Sequence, residues 1–174
     1  MQELQDKMES IELPGIQWHM IGTLQSNKIK YIAERVNWIH SVSKAKYLDE
    51  IDKRAASANR TINVLIQINI SGEDQKSGCE ASELAAILGY AKNLHNVRVK
   101  GLMGMATFSD NPEDVRHEFA LLRNTLEEHQ HLNGKNVELK ELSMGMSGDF
   151  EVAIEEGATM IRVGSAIFGS RNYG

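Results

Sequence analysis

The chain has 174 residues, 41% of them apolar and 25% charged, and its 19 Lys+Arg against 24 Asp+Glu give a formal net charge of −5. That balance fits one mildly acidic globular domain over residues 1–174 and excludes a second full-size domain, a fold that depends on disulfides, and a basic face for nucleic acid. Cys79 is the only cysteine, which excludes an internal disulfide or a paired-thiol metal or redox site and sets the expectation of a reducing, cytoplasmic compartment.

No apolar run approaches the roughly 20 residues of a membrane span, and the opening MQELQDKMES lacks the apolar centre of a signal peptide. Neither membrane nor nucleic acid is an expected partner.

In chain order, β-branched or apolar runs predict strands at 16–22, 36–42, 62–70, 97–103, 137–142 and 160–163. Amphipathic stretches predict helices at 25–35, 44–57, 81–93, 112–130 and 149–156. Ser26 and Asn27 are candidate caps of the first of these. Pro112, after Asn111, suits the first turn of its helix, where a missing N–H costs nothing, and Gly157 suits a helix end. Strand and helix alternate strictly, which argues for a parallel sheet with helical crossovers. Two architectures remain, a doubly wound open sheet and a (β/α)8 barrel, and length alone favours the open sheet.

The densest chemical signal lies in the last third, where Ser143-Met144-Gly145-Met146-Ser147-Gly148-Asp149 and Arg162-Val163-Gly164-Ser165 each place Ser and Gly after a strand. In an α/β fold that is the rim at the carboxyl ends of the strands, where ligands bind. Ser147 reads either as the N-cap of the helix from Asp149 or as part of an anion cradle, with Gly164 and Ser165 supplying a second set of N–H donors. Arg162 interrupts an apolar strand, so it either faces outward into an ion pair or faces inward as a fixed cation for a ligand.

The remaining candidates are weaker. His19 and His40 sit in separate strands with no metal-ligand spacing, and no metal site is expected. His129 and His131 read as surface residues on different faces, and the methionines, among them Met103, Met105, Met144 and Met146, as packing. Lys76, in the polar loop 71–78, is either a solvated lysine or an amine at the ligand mouth. Asp149 reads as a carboxylate at a helix start rather than a catalytic acid.

At these residues a resemblance enters. Trp18-His19-Met20-Ile21-Gly22 through Lys28, Ile39-His40-Ser41-Val42, the loop 71–78, Gly101-Leu102-Met103, Leu142 to Phe150 and Arg162 to Gly169 together closely resemble the pyridoxal phosphate homeostasis protein family. The resemblance implies a (β/α)8 TIM-type barrel related to the alanine racemase N-terminal domain. It also implies a pyridoxal 5′-phosphate (PLP) site in which Ser147, Gly164 and Ser165 hold the phosphate and Arg162 faces the pyridine nitrogen. The implied role is non-catalytic buffering of the cofactor, with PLP-dependent enzymes as recipients; a racemase-like enzyme and a degenerate barrel are the alternatives. Family members begin with a helix, a strand bearing the lysine that holds the cofactor covalently, and a second strand. Met1-Gln2-Glu3-Leu4 resembles the helix after that second strand, so about the first two strands are expected to be lacking. Lys28, Lys30 and Lys76 do not match the lysine's position.

Overall fold

The structure is a computed structural model that describes residues 2–11, 13–72 and 77–169, so the loop position of Lys76 lies outside the described residues. Among these, helix α1 (Gln2–Ser10) precedes six strands: β1 (His19–Met20), β2 (Trp38–Val42), β3 (Ile62–Gln67), β4 (Val97–Met103), β5 (Val137–Met146) and β6 (Met160–Arg162). They form one parallel sheet in chain order. The crossovers carry α2 (Ala45–Ser57), α3 (Leu84–Ala91), α4 (Arg116–His129) and α5 (Phe150–Glu155), and a single turn, α6 (Ser165–Phe168), follows β6. Sequential order without a reversal belongs to a barrel wall and not to a doubly wound sheet, which corrects the preference that length alone suggested.

The crossover helices form because each carries an apolar stripe at helical spacing. Leu48, Ile51 and Ala55 of α2, and Phe119, Leu122 and Leu126 of α4, are buried against the outer face of the sheet. Each such Leu, Ile or Phe removed from water contributes about 1.5–3 kcal/mol. Pro112 follows Asn111, whose Oδ1 accepts from the Glu113 N–H at 3.3 Å, as expected, although the start it sets is a 3-10 turn that leads into α4. Gly157 closes α5 with its N–H on the Ile154 carbonyl at 2.9 Å.

Two expected elements are shorter than their sequence pattern. The strand expected at 16–22 pairs only over His19–Met20, and the helix expected at 25–35 is a 3-10 turn over Ser26–Tyr31 with no side-chain cap, so neither Ser26 nor Asn27 caps it. Ile29 and Ile32, at and just after this turn, are fully buried, so packing supplements its short 3-10 ladder.

Strand parity divides the sheet into two environments. Ile62, Val64 and Ile66 enter the main apolar cluster, whereas Leu65 is buried outside it, on the opposite, inner face. Toward the amino ends of the strands, the side opposite the apolar cluster carries Lys100, Glu138 and Lys140, linked by ion pairs of 2.5 and 3.1 Å. At the carboxyl end it carries His40 of β2 and Ser143 of β5, hydrogen-bonded at 2.8 Å. Three strand spacings of about 4.8 Å would hold these strands roughly 14 Å apart in a flat sheet. The bond therefore requires a sheet curled into most of a barrel, and β1 faces β6 across a cavity of about 530 Å³ lined by His19, Ile21, Met160 and Ile161.

The curl is assisted by a register shift in β4 between Val99 and Gly101, opposite β5. A Cβ on Gly101 would lie 1.9 Å from the Glu141 carbonyl oxygen, so the two strands approach as only glycine allows. Gly101→Ala is therefore expected to cost about 3 kcal/mol or more, read as a drop in the urea midpoint, while Gly89→Ala, which meets open space, stays near neutral.

Candidate functional site

The rim is shaped by the end of β5, which runs through Met146, so Ser143 to Met146 lie in the strand and not in the loop expected after 142. The Met146 N–H donates to Asp149 Oδ1 at 2.6 Å and the Asp149 N–H returns to the Met146 carbonyl at 3.1 Å. This reciprocal turn makes Asp149 the N-cap residue of α5 and leaves Ser147 and Gly148 at its tip. Ser147 is therefore not the cap of that helix. Its Oγ instead accepts from the N–H groups of Gly164 (3.2 Å) and Ala166 (3.3 Å), across the rim at the start of α6.

Ser147, Arg162, Gly164 and Ser165 thus come together, and all four line one cavity of about 650 Å³ that also touches Phe108 and Lys7. A Cβ built on Gly148 or Gly164 would meet nothing within 4 Å, so this corner is open to a group that approaches the backbone closely. Two long hydrogen bonds converging on a neutral hydroxyl mark N–H groups that a stronger, anionic acceptor would engage better.

Arg162 faces inward. Nη1 donates to Ser143 Oγ at 2.8 Å and Nη2 to the Gly104 carbonyl at 2.9 Å, and among the described residues no carboxylate pairs with it. The outward ion-pair reading is overturned. Burial lowers the guanidinium to about 10 and the charge of Asp149 acts in the opposite sense, so it remains a cation at neutral pH.

Sequence reasoning set His19 and His40 aside, and the structure brings them together. His40 Nδ1 lies 2.8 Å from Ser143 Oγ and His40 Nε2 lies 2.8 Å from His19 Nδ1. The Trp38 ring stacks on His19 with centroids 5.5 Å apart. Burial first, then the neighbouring His19 and Arg162, pushes His40 down to about 3, and burial also lowers His19. Both rings are neutral near pH 7. The available signal was parity: His40 and Ser143 occupy inward positions of their strands, but only the curl of the sheet brings them into contact. His129 and His131 do not diverge as expected; their rings stack at 6.4 Å where α4 tightens into a 3-10 turn. Among the described residues no group of three or more His, Cys, Asp or Glu is arranged to hold a metal, and no helix is long and apolar enough to cross a membrane.

A curled parallel sheet with a Ser/Gly rim and an inward arginine defines the class: the chain matches the alanine racemase N-terminal domain family over residues 8–172. Within that class it belongs to the pyridoxal phosphate homeostasis protein family. It is 46% identical over 172 residues to the pyridoxal phosphate homeostasis protein of Aquifex aeolicus, covering 99% of this chain and 75% of that protein. Its identity to the one from Escherichia coli K12 is 36% over 165 residues, with 95% and 69% covered. Its fold matches PipY of Synechococcus elongatus solved without PLP (35% identity, TM-score 0.89, 97% of this chain and 78% of that one). It also matches PipY with PLP bound (34% identity, TM-score 0.85, 97% and 78%). D-threonine aldolase from Filomicrobium marinum, at 18% identity and TM-score 0.65, covering 87% of this chain and 44% of that one, shares the fold alone.

The depressed His40 has a consequence for stability. Unfolded, it takes up a proton below its ordinary value of 6.5, whereas folded it does so only near 3, so between these values the unfolded state binds more protons. Stability contributed by the neutral ring is complete above pH 6.5 and is lost as pH falls toward 3. His40→Gln is expected to flatten the fall in unfolding free energy, read from urea titrations, between pH 6.5 and 4 relative to the parent, by an amount on the order of 1–3 kcal/mol.

Proposed function

We propose that residues 1–174 act as one PLP-binding unit that holds and buffers free cofactor without turning over a substrate. The observation that carries this reading is the Ser147 hydroxyl held between the Gly164 and Ala166 N–H groups beside Arg162 in one cavity. In this reading the phosphate takes those N–H groups over from the Ser147 hydroxyl, which turns to donate to it, with Gly164 and Ser165 completing the grip, and Arg162 presents its remaining donors to the pyridine nitrogen. Bound PLP supplies an electron-withdrawing ring, and a guanidinium, which only donates, leaves its nitrogen unprotonated and so weakens that capacity.

Support for a non-catalytic role comes from the names of the relatives and from Asp149, whose Oδ1 is engaged by the Met146 N–H in the turn that starts α5. Cys79 is buried, and its thiol is pushed up to about 12 mainly by that burial, which suits a resident of the reducing cytosol. We assign PLP-dependent apoenzymes as the recipients of the cofactor.

Calorimetric titration of the purified chain with PLP tests this. Saturable binding is expected, weakened about 10-fold by Ser147→Ala and by Arg162→Ala, the usual cost of one charge-assisted hydrogen bond. Lys76→Ala is expected to leave binding unchanged. An Arg162→Ala protein that binds as tightly as the parent defeats the assigned orientation, and a parent that shows no saturable binding defeats the whole assignment.

A further inference from the structure

We propose that Ser143, His40 and His19 form a directional hydrogen-bond chain that positions Arg162 as a fixed donor toward the ring of the ligand. The inference rests on the PLP reading and adds to it residues from three further strands.

The direction follows from donor inventory. A guanidinium has no acceptor, so Ser143 Oγ accepts from Arg162 Nη1 at 2.8 Å. The serine's own proton then goes to its other neighbour, His40 Nδ1, at 2.8 Å. His40 is thereby an acceptor at Nδ1 and, being neutral, carries its proton on Nε2, which donates to His19 Nδ1 at 2.8 Å. The same step puts the His19 proton on its own Nε2. The chain thus runs from β6 through β5 and β2 to β1, each link polarising the next in the same sense.

The members are held as well as bonded. Ser143 is fully buried and His40 is 2% exposed, so water does not compete for the two links next to the arginine. Trp38 stacks on His19 and fixes its plane, and Gly104 supplies the second anchor of the guanidinium. Every anchor is a neutral acceptor. Two of the five N–H donors of Arg162 are spent on them, and its positive charge is left for the ligand instead of a carboxylate. Two histidines and a serine inside a barrel are costlier than apolar side chains unless fully satisfied, and here each bond completes the next.

Two measurements test the chain. In 15N NMR of the imidazoles, both His40 and His19 are expected as the Nε2–H tautomer, and a His40 Nδ1–H tautomer overturns the assigned direction. In the second, titration calorimetry compares PLP with 1-deaza-PLP, which carries a C–H in place of the ring nitrogen. The parent is expected to prefer PLP by about 10-fold, and Ser143→Ala and His40→Phe to reduce that preference to about 2-fold while deaza binding changes little. His40→Asn, which keeps an acceptor near Nδ1, restores most of it. Ser147→Ala weakens both ligands by the same factor and keeps the preference.

Ser143→Ala removes one atom, and unchanged deaza binding certifies its fold. If His40→Phe does not fold, His19→Phe at the half-buried end of the chain takes its place, with a smaller loss of preference. A parent that binds neither ligand overturns the PLP reading together with this one. A parent that binds both ligands equally, or variants that retain the full preference, overturns the positioning chain and leaves the phosphate grip standing.

Discussion

A positive charge drawn inside a curled parallel sheet, with no carboxylate in ion-pair contact with it among the described residues, sets the terms for the rest of the rim. Such a charge is tolerated only where neutral acceptors are aimed at it and where solvent or a ligand takes the remainder. The Gly104 carbonyl and the Ser143 hydroxyl meet the first need, and the 650 Å³ cavity beside Arg162 leaves room for the second. The serine in turn needs an acceptor, and His40 supplies it, so the identity of one buried residue fixes that of the next across four strands.

This arrangement exists only because the sheet curls. Closing three strand spacings to one hydrogen bond between β2 and β5 depends on the irregular register of β4 and β5 and on the absence of a side chain at Gly101. The outer helices hold the curl from outside through one continuous apolar cluster. Fold and site are therefore coupled: loosening the packing of β4 on β5 would also separate Ser143 from His40.

Much of this was present in the sequence. Alternating strand and helix patterns gave the parallel sheet, and the Ser/Gly segments after β5 and β6 gave Ser147, Arg162, Gly164 and Ser165, which the fold does bring together. Of the two readings of Ser147 the helix cap fails, although a serine just before a helix usually caps it, and nothing local announces that Asp149 folds back onto the Met146 N–H instead. The short β1 and the 3-10 turn at Ser26–Tyr31 were missed for a related reason: buried Ile29 and Ile32 give an apolar pattern whichever helix type carries them. His19, His40 and Ser143 are separated by up to 124 residues, and only the curl of the whole sheet, a long-range property, places them in contact.

The two ends of the inner face show why burial, and not the presence of polar residues, decides which of them matter. Toward the amino end, Lys100, Glu138 and Lys140 form ion pairs, but Glu138 is 50% exposed, and such pairs contribute about 0–1 kcal/mol each. Any one of them can change with little effect on its neighbours. At the carboxyl end there are no ion pairs among the described residues, and the groups that hold Arg162 are neutral, yet Ser143 and His40 are almost wholly shielded. Removing either leaves a buried donor or acceptor unmet, at about 1–3 kcal/mol, and frees the guanidinium they restrain. A weak-looking chain of uncharged hydrogen bonds therefore constrains the mouth of the barrel more tightly than the salt bridges at its base.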